Sequence, residues 1–253
     1  MVVRKTAWPA GTPCWVDVSV DDIDRAKAFY GALFGWDFAG GDPEFGGYLT
    51  AVKGEHPVAG LGPKQSPDQP SVWTTYLASD DVAATTKAVG EAGGQVVVEP
   101  MQVGEFGTMA IAVDPAGGMF GIWESGSNTG VDLANEPGSL VWNEHMSGAS
   151  DAAKDFYTKV FGYTYGAVEG AGEDYSTIDV AGAEQPVGGI GAGEGQGWVT
   201  YFQVEDADTA IAKVKELGGS VVEEPFDTPY GRMAGVADDQ GTTFKIMGNV
   251  PQQ

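Results

Sequence analysis

Two carboxylates, Asp17 and Glu144, occupy equivalent places in the chain and are the first candidates for chemistry. Each follows a tryptophan by two residues, and both pairs are 127 residues apart (144 − 17 and 142 − 15). Because side chains two apart on a β-strand share a face, we expect Asp17 beside Trp15 and Glu144 beside Trp142. A carboxylate that loses hydration in such surroundings has a raised pKa, so it can serve as a general base or accept a hydrogen bond from a ligand.

The elements that position these residues repeat along the chain. Phe29-Tyr30 returns as Phe156-Tyr157, and Tyr48 returns as Tyr175, both at an offset of 127. Trp73-Thr74-Thr75-Tyr76 returns as Trp198-Val199-Thr200-Tyr201, at an offset of 125 (198 − 73). The sequence therefore predicts a first module over residues 10–126, a linker over 127–137 and a second module over 138–248.

Within each module the hydrophobic pattern predicts a strand, a helix and then further strands. The alternation over residues 15–20 is typical of a half-buried strand, and Asp21 or Asp22 can cap a helix that ends at Gly35. A second helix is predicted from about Asp80 to Gly93, and module two should repeat both helices over 150–161 and 206–217. The glycine-rich stretch 188–197 lacks the Lys-Ser/Thr of a phosphate-binding loop and is predicted to be a flexible loop. The fold class predicted is α+β, with tandem βαβββ units.

Two segments of module one resemble a known superfamily. The run Val20-Asp21-Asp22-Ile23, continued by Lys27-Ala28-Phe29-Tyr30 and Leu33-Phe34-Gly35-Trp36, resembles the opening of a vicinal oxygen chelate module, and Asp114-Pro115-Ala116-Gly117 with Phe120-Gly121-Ile122-Trp123-Glu124 resembles its close. This is the glyoxalase/bleomycin-resistance/dioxygenase superfamily, and the chain is similar in particular to two-module actinobacterial proteins labelled glyoxalase-like, hydroxylase or culture-filtrate antigen. The resemblance implies curved mixed sheets around a cleft that, in the enzymes, holds a divalent metal.

The positions at which the resemblance implies metal ligands carry residues that do not bind metals. They are Trp15 and Trp142 on the first strands, and Gly121 and Lys245 on the last strands. Indole offers no free lone pair, glycine has no side chain and lysine is a cation at neutral pH. We therefore expect no metal and no other cofactor. The alternative is a hard divalent metal such as Mg, Ca or Mn bound by Asp17 or Glu144, with Glu124 nearby.

Aromatic residues at these positions predict a stacking surface instead. Flat aromatic walls suit planar ligands. Strand alternation adds Ser19 to Trp15 and Asp17 on one wall, and Met146 to Trp142 and Glu144 on the other. The ligand-binding residues predicted are thus Trp15, Ser19, Trp142, Met146, Trp73 and Trp198, with Asp17 and Glu144 as the catalytic candidates.

Composition excludes several classes of partner. The formal net charge of −23 repels phosphate backbones and anionic membranes, so nucleic-acid and membrane binding are not expected. The single cysteine, Cys14, cannot form an intrachain disulfide. No apolar run approaches the roughly 18 residues of a membrane span. We expect a soluble cytoplasmic protein, a monomer or a homodimer, whose partner is a small molecule.

Three functions remain open at this point. The first is metal-independent binding or sequestration of a small aromatic molecule. The second is a glyoxalase-like lyase or isomerase, or an oxygenase ("hydroxylase"), that uses Asp17 or Glu144 as a base or as a metal ligand. The third is a structural or interaction role in which the cleft is vestigial.

Overall fold

The structure, a computed structural model, describes residues 2–168 and 174–249. Within those residues the chain forms four α-helices and eighteen β-strands, which confirms the α+β prediction. In module one the strands are β1 (Val2–Val3), β2 (Pro13–Val20), β3 (Asp37–Gly40), β4 (Leu49–Lys53), β5 (His56–Pro63), β6 (Trp73–Ala78), β7 (Gln95–Val103), β8 (Gly107–Val113) and β9 (Met119–Ser125). Next come β10 (Leu133–Ala134), β11 (Leu140–Ser147), β12 (Thr164–Ala167), β13 (Tyr175–Asp179), β14 (Gly188–Ala192), β15 (Gln196–Gln203), β16 (Ser220–Thr228), β17 (Gly231–Ala237) and β18 (Thr243–Gly248).

The helices begin and end where the polar and glycine residues predict. Helix α1 (Ile23–Phe34) is capped by the Asp22 side chain and ends at Gly35, which has a left-handed φ of 69°. Helix α2 (Val82–Glu91) is capped by Asp81. Helices α3 (Ser150–Phe161) and α4 (Ala207–Glu216) repeat them in module two. No helix in the described residues is both long and apolar enough to cross a membrane.

Each module folds into one mixed sheet built from two βαβββ units. In module one the order is β3-β4-β5-β2-β6-β9-β8-β7, and the two units join where β2 pairs antiparallel with β6. Module two has the corresponding order β12-β13-β14-β11-β15-β18-β17-β16. The central strands β2 and β11 therefore lie in the middle of their sheets, which places Trp15, Asp17, Trp142 and Glu144 at the centre.

The modules pack through their helices, with each helix of one module against a helix of the other. Helix α1 contacts α4, and α2 contacts α3. The core thus divides into two clusters. In the first, α1 packs with the second half of module two, and in the second, α3 packs with the second half of module one. Tyr30 on α1 donates to Asp238 (2.8 Å), and Tyr157 on α3 donates to Asp114 (2.9 Å), so buried hydrogen bonds also cross between modules. The sheet faces away from the helices are left for the sites.

One part of the predicted secondary structure is wrong. Residues Gly188–Ala192, predicted as loop, form strand β14, which pairs with both β11 and β13. Gly189 and Gly191 of this strand lie beneath the ring of Tyr175 on β13. A Cβ on Gly189 would be 2.0 Å from the Tyr175 hydroxyl oxygen. A glycine-rich composition here reflects close approach by a neighbouring side chain and not chain flexibility.

Candidate functional site

The sheet of module one curls into a cup, because its two outer arms meet. Phe45 lies between β3 and β4 at one end of the sheet, and Phe106 lies in the turn between β7 and β8 at the other. Their rings nevertheless contact each other edge to face, with centroids 5.6 Å apart. Both rings are about 40% exposed (40% for Phe45, 41% for Phe106), so this contact lies at the surface. The concave face enclosed by the two arms is called the module-one cup below, and its counterpart the module-two cup.

A hydrogen-bonded network of aromatic residues surrounds Asp17 in the module-one cup. Trp15 donates through Nε1 to the Tyr48 hydroxyl (2.9 Å), and Tyr48 donates to Asp17 Oδ2 (3.2 Å). Tyr76, on the neighbouring strand β6, donates to the same carboxylate oxygen (3.0 Å). One carboxylate oxygen thus accepts hydrogen bonds from two phenols, and the indole of Trp15 orients one of them, Tyr48.

The module-two cup repeats this network with glutamate in place of aspartate. Trp142 Nε1 donates to the Tyr175 hydroxyl (3.1 Å), which donates to Glu144 Oε2 (3.1 Å), and Tyr201 donates to Oε1. Lys245 adds a cation, with its Nζ 3.7 Å from Glu144 Oε1. The expectation that each acid lies beside its tryptophan matches this geometry.

Glycines on the neighbouring strands make room for the tyrosines. Gly60 pairs with Asp17 across β2 and β5, and a Cβ there would lie 1.7 Å from the Tyr48 hydroxyl oxygen. Gly121 pairs with Tyr76 across β6 and β9, and a Cβ there would lie 2.0 Å from a Tyr76 ring carbon. The Tyr76 ring therefore covers the position at which the superfamily resemblance implies a metal ligand.

Burial dominates the protonation of this network. Loss of hydration raises the pKa of Asp17 to about 7, and the hydrogen bonds from Tyr76 and Tyr48 oppose that rise. Burial and the neighbouring Asp17 charge hold the pKa of Tyr48 and Tyr76 well above the usual tyrosine value. The two phenols are therefore donors at all physiological pH values, whereas Asp17 exists in both protonation states near neutrality.

The donor set does not fit the metal that the superfamily fold holds in its enzymes. A divalent metal needs several lone-pair donors around one point. Asp17 is the carboxylate of the module-one cup, and the groups that contact it are phenols that already donate to it. The described residues contain no cluster of three or more His, Cys, Asp or Glu side chains able to hold a metal ion. Glu124 lies elsewhere, accepting a hydrogen bond from the Val82 backbone amide at the start of α2 (2.9 Å).

Trp73 and Trp198, predicted as ligand-binding residues, do not face the cups, and this is a correction. The Trp73 ring packs edge to face against Tyr30 and Phe202 in the helical core. Trp198 donates through Nε1 to the hydroxyl of Tyr157 on helix α3 (2.8 Å), so its ring lies on the helical side of the sheet. The prediction grouped Trp73 and Trp198 with Trp15 and Trp142, but Trp73 is three residues from Tyr76 and so points to the other face of β6. Both indoles line a surface groove with residues of β16–β18, among them Glu223 and Lys245, so their role in ligand binding stays a prediction.

Ser19 and Met146 are the remaining predicted site residues, and His145 shares strand β11 with Glu144. Ser19 accepts a hydrogen bond from the Gln69 side chain (3.0 Å). Met146 packs beneath Gly193, where an added Cβ would lie 3.0 Å from its methyl carbon. His145 points away from Glu144, as its place in the strand predicts, and is fully buried 2.7 Å from Asp114. None of these three residues contacts the central carboxylates.

Four tyrosines that complete the networks were not predicted as site residues. Tyr48, Tyr76, Tyr175 and Tyr201 match between the repeats, but a repeat match does not distinguish a core ring from a site ring. A signal that could have indicated Tyr48 and Tyr175 is the repeated glycine that each of them covers. Gly60 and Gly189 recur at equivalent places, and a glycine inside a strand indicates close approach by a neighbouring group.

Comparison with known proteins identifies the family. The model of the Glyoxalase/Bleomycin resistance protein/Dioxygenase superfamily matches residues 14–122 and again residues 146–246. The chain belongs to this superfamily. The first match includes Asp17, whereas the second begins two residues after Glu144.

Two curated relatives span nearly the whole chain. A glyoxylase-like protein of Mycobacterium tuberculosis, CFP32, is 37% identical over 261 residues, covering 99% of each chain. The anthracycline biosynthesis protein DnrV of Streptomyces peucetius is 36% identical over 262 residues, covering 96% of this chain and 94% of its own. Among solved structures, an Mn(II)-bound glyoxalase from Novosphingobium aromaticivorans superposes with a TM-score of 0.68 at 16% identity, covering 96% of this chain and 83% of its own. At that identity the likeness establishes the shared fold alone.

Proposed function

We propose that this superfamily member binds a small aromatic molecule in its cups without a resident metal, as a binding or sequestration protein. The observation that carries the proposal is the Trp15–Tyr48–Asp17–Tyr76 network and its repeat in module two. These aromatic side chains stand where the superfamily's enzymes bind a metal. Lone-pair donors are replaced by ring surfaces and by a single carboxylate, a combination that recognises a planar molecule with one polar group.

The relatives support the aromatic character of the ligand. DnrV is named for anthracycline biosynthesis, and anthracyclines are planar polycyclic compounds. Its similarity covers both modules of this chain, so it includes both cups. We infer a ligand of the same broad class: a planar ring system with a hydroxyl or other polar substituent that reaches the cup carboxylate.

A second candidate is catalysis of proton transfer, and the protonation of Asp17 favours it. A carboxyl with a pKa of about 7 is matched to general acid–base catalysis near neutral pH. The glyoxylase-like name of CFP32 points the same way. In this case the chain would be a lyase, isomerase or oxygenase with Asp17 as its base. Turnover of a bound aromatic ligand that is lost in Asp17→Asn, while ligand affinity is kept, would favour this candidate over binding alone.

The test of the proposed function is a ligand screen on protein treated with a chelator. Planar aromatic compounds are titrated while tryptophan fluorescence is recorded, and any ligand found is measured by calorimetry. Trp15→Ala and Trp142→Ala should each weaken binding by about 1–3 kcal/mol through lost stacking and buried area. If both variants stay folded and bind as tightly as the parent, the ligand does not occupy the cups.

Trp73→Phe is the matched control for these two variants. Trp73 packs against Tyr30 and Phe202 in the helical core, and phenylalanine keeps an aromatic ring there. Its affinity should therefore equal that of the parent. A loss of affinity as large as that of Trp15→Ala would restore Trp73 as a ligand-binding residue and contradict the placement of the site.

A further inference from the structure

The two cups differ in charge at the position that faces the central acid from the last strand. Gly121 on β9 pairs with Tyr76, and Lys245 on β18 pairs with Tyr201 at the equivalent place. The Lys245 ammonium lies 3.7 Å from Glu144 and 5.3 Å from the centroid of the Tyr201 ring. Module two therefore carries its own cation, which pairs with Glu223 (2.9 Å) and also lies beside Glu144 and the Tyr201 ring. Glycine cannot supply that cation in module one.

Asp17 consequently has no counterion among the described residues. Its side chain contacts the Tyr48 and Tyr76 hydroxyls, and no lysine, arginine or histidine of the described chain lies within 4.0 Å of it. Its partners on the neighbouring strands β5 and β6 are Gly60 and Thr74, and Gly121 lies one strand further on, opposite Tyr76; none of the three is charged. A carboxylate that is half-buried without a cation is unfavourable, and the free energy recovered by supplying one is correspondingly large.

The surroundings of Asp17 also attract cations. Trp15, Tyr48 and Tyr76 surround the carboxylate with aromatic rings, and an aromatic ring attracts an ammonium group through cation–π interaction. Both phenols donate to Asp17 Oδ2, so the other carboxylate oxygen is the group left for a ligand. The formal net charge of −23 adds a long-range attraction for cationic molecules.

We propose that the module-one cup takes an aromatic ligand that carries a protonated or quaternary amine, whose cationic head sits beside Asp17 as the Lys245 ammonium sits beside Glu144. The inference rests on the proposed function, since it names the class of ligand for that site.

The proposal implies that binding depends on pH. An ammonium binds the ionised form of Asp17, so affinity should rise as pH increases through the region in which this carboxyl loses its proton. Tyr48 and Tyr76, the titratable groups that face Asp17, keep their protons throughout because their pKa is raised. A permanently charged probe keeps its own charge at every pH, so the change in affinity reports on Asp17.

The experiment compares two probes of the same shape, phenyltrimethylammonium and tert-butylbenzene, by calorimetry on the full chain. We expect one phenyltrimethylammonium per chain, bound at least about tenfold more tightly than the neutral probe at pH 8, with a smaller preference at pH 5. Asp17→Asn should remove the preference but keep binding of the neutral probe. Equal affinity of the two probes for the parent chain, or unchanged phenyltrimethylammonium binding in Asp17→Asn, would overturn the proposal and leave aromatic binding standing.

A gain-of-function variant tests the comparison between the cups directly. Lys245→Gly gives module two the residue that module one has, so a second phenyltrimethylammonium should bind beside Glu144. Lys245→Met keeps the length of the stem without the charge and should give the same result if the glycine variant does not fold. A stoichiometry that stays at one in a folded variant contradicts the proposal. If neither probe binds the parent chain at all, both this inference and the proposed function fail.

Discussion

Tyr76 donates a hydrogen bond to Asp17 over 3.0 Å while its ring covers Gly121. One side chain therefore both donates to the central acid of the cup and fills the position that faces it from the last strand. In module two the same hydrogen bond, from Tyr201 to Glu144, coexists with Lys245 at the position of Gly121. The two modules thus use one aromatic framework and differ in whether the cation is built in.

Replacing Asp17 by asparagine should change the pH dependence of stability. The folded pKa of about 7 exceeds the unfolded value, so the folded state binds more protons between about pH 4 and pH 7. The contribution of Asp17 to stability is fully present at low pH and is lost as pH rises through 7. Asp17→Asn should therefore become more stable relative to the parent by about 1–3 kcal/mol between pH 4 and pH 8.

Urea unfolding followed by circular dichroism at both pH values measures this difference. Asp68→Asn, in an exposed loop, controls for removing one charge from a strongly acidic chain. If the difference in unfolding free energy between Asp17→Asn and the parent does not change with pH, the pKa of Asp17 is not raised and its carboxylate is hydrated.

Asp114 should respond in the opposite direction. It is 4% exposed, and although burial acts to raise its pKa, hydrogen bonds from His145, the Gly118 amide and Tyr157 hold the pKa below the usual value. Its contribution is present above the unfolded pKa and is lost as pH falls through the folded one. Asp114→Asn should cost about 2–4 kcal/mol at neutral pH, because it disrupts a buried charged hydrogen-bond network. Thermal unfolding at pH 7 that matches the parent would contradict the inter-module role of this residue.

The glycines beneath the tyrosines should not tolerate a methyl group. Gly60→Ala would place a Cβ on the Tyr48 hydroxyl, so Tyr48 must move and its bonds to Trp15 and Asp17 break. We expect a loss of about 1–3 kcal/mol in stability and weaker ligand binding. Gly90→Ala is the matched control, since nothing lies within 4 Å of the new Cβ and alanine favours the helix by about 0.5–1 kcal/mol. Equal stability of the two variants would show that Tyr48 is not held where the structure has it.

The ring contact between Phe45 and Phe106 should control passage into the module-one cup. The two rings join opposite arms of the sheet at the surface, so removing either one opens the arms. Phe45→Ala and Phe106→Ala should each raise the association and dissociation rate constants of an aromatic probe by several-fold, with little change in affinity. Stability should fall by about 0.5–1.5 kcal/mol, the strength of an aromatic pair. Stopped-flow quenching of tryptophan fluorescence measures the rates, and unchanged rates would mean that ligands enter elsewhere.

Much of this architecture can be read from local signals in the sequence. The helix limits at Asp22 and Gly35 follow from capping chemistry, and the repeat predicts that module two copies module one. Strand alternation brings Asp17 to the side of Trp15 and turns His145 away from Glu144. Each of these features depends on residues close together in the chain.

What could not be read are the features that depend on which strands become neighbours. Tyr48 and Tyr76 reach Asp17 only because β2 lies between β5 and β6, an order that no local pattern encodes. Strand β14 was predicted as a loop because its glycines make room for the Tyr175 ring, which lies on another strand. Trp73 was assigned to the cup because strand periodicity says that side chains alternate but not which face a helix covers. The module limits at 126 and 138 stay predictions.

The measurement that tests the account most directly is native mass spectrometry of the full chain purified from its own host. If the cups bind an aromatic molecule without a metal, the protein should retain an organic adduct that survives treatment with a chelator and disappears in Trp15→Ala combined with Trp142→Ala. A mass increment of one divalent metal per chain, removed by the chelator together with any organic adduct, would contradict a metal-independent site in these cups.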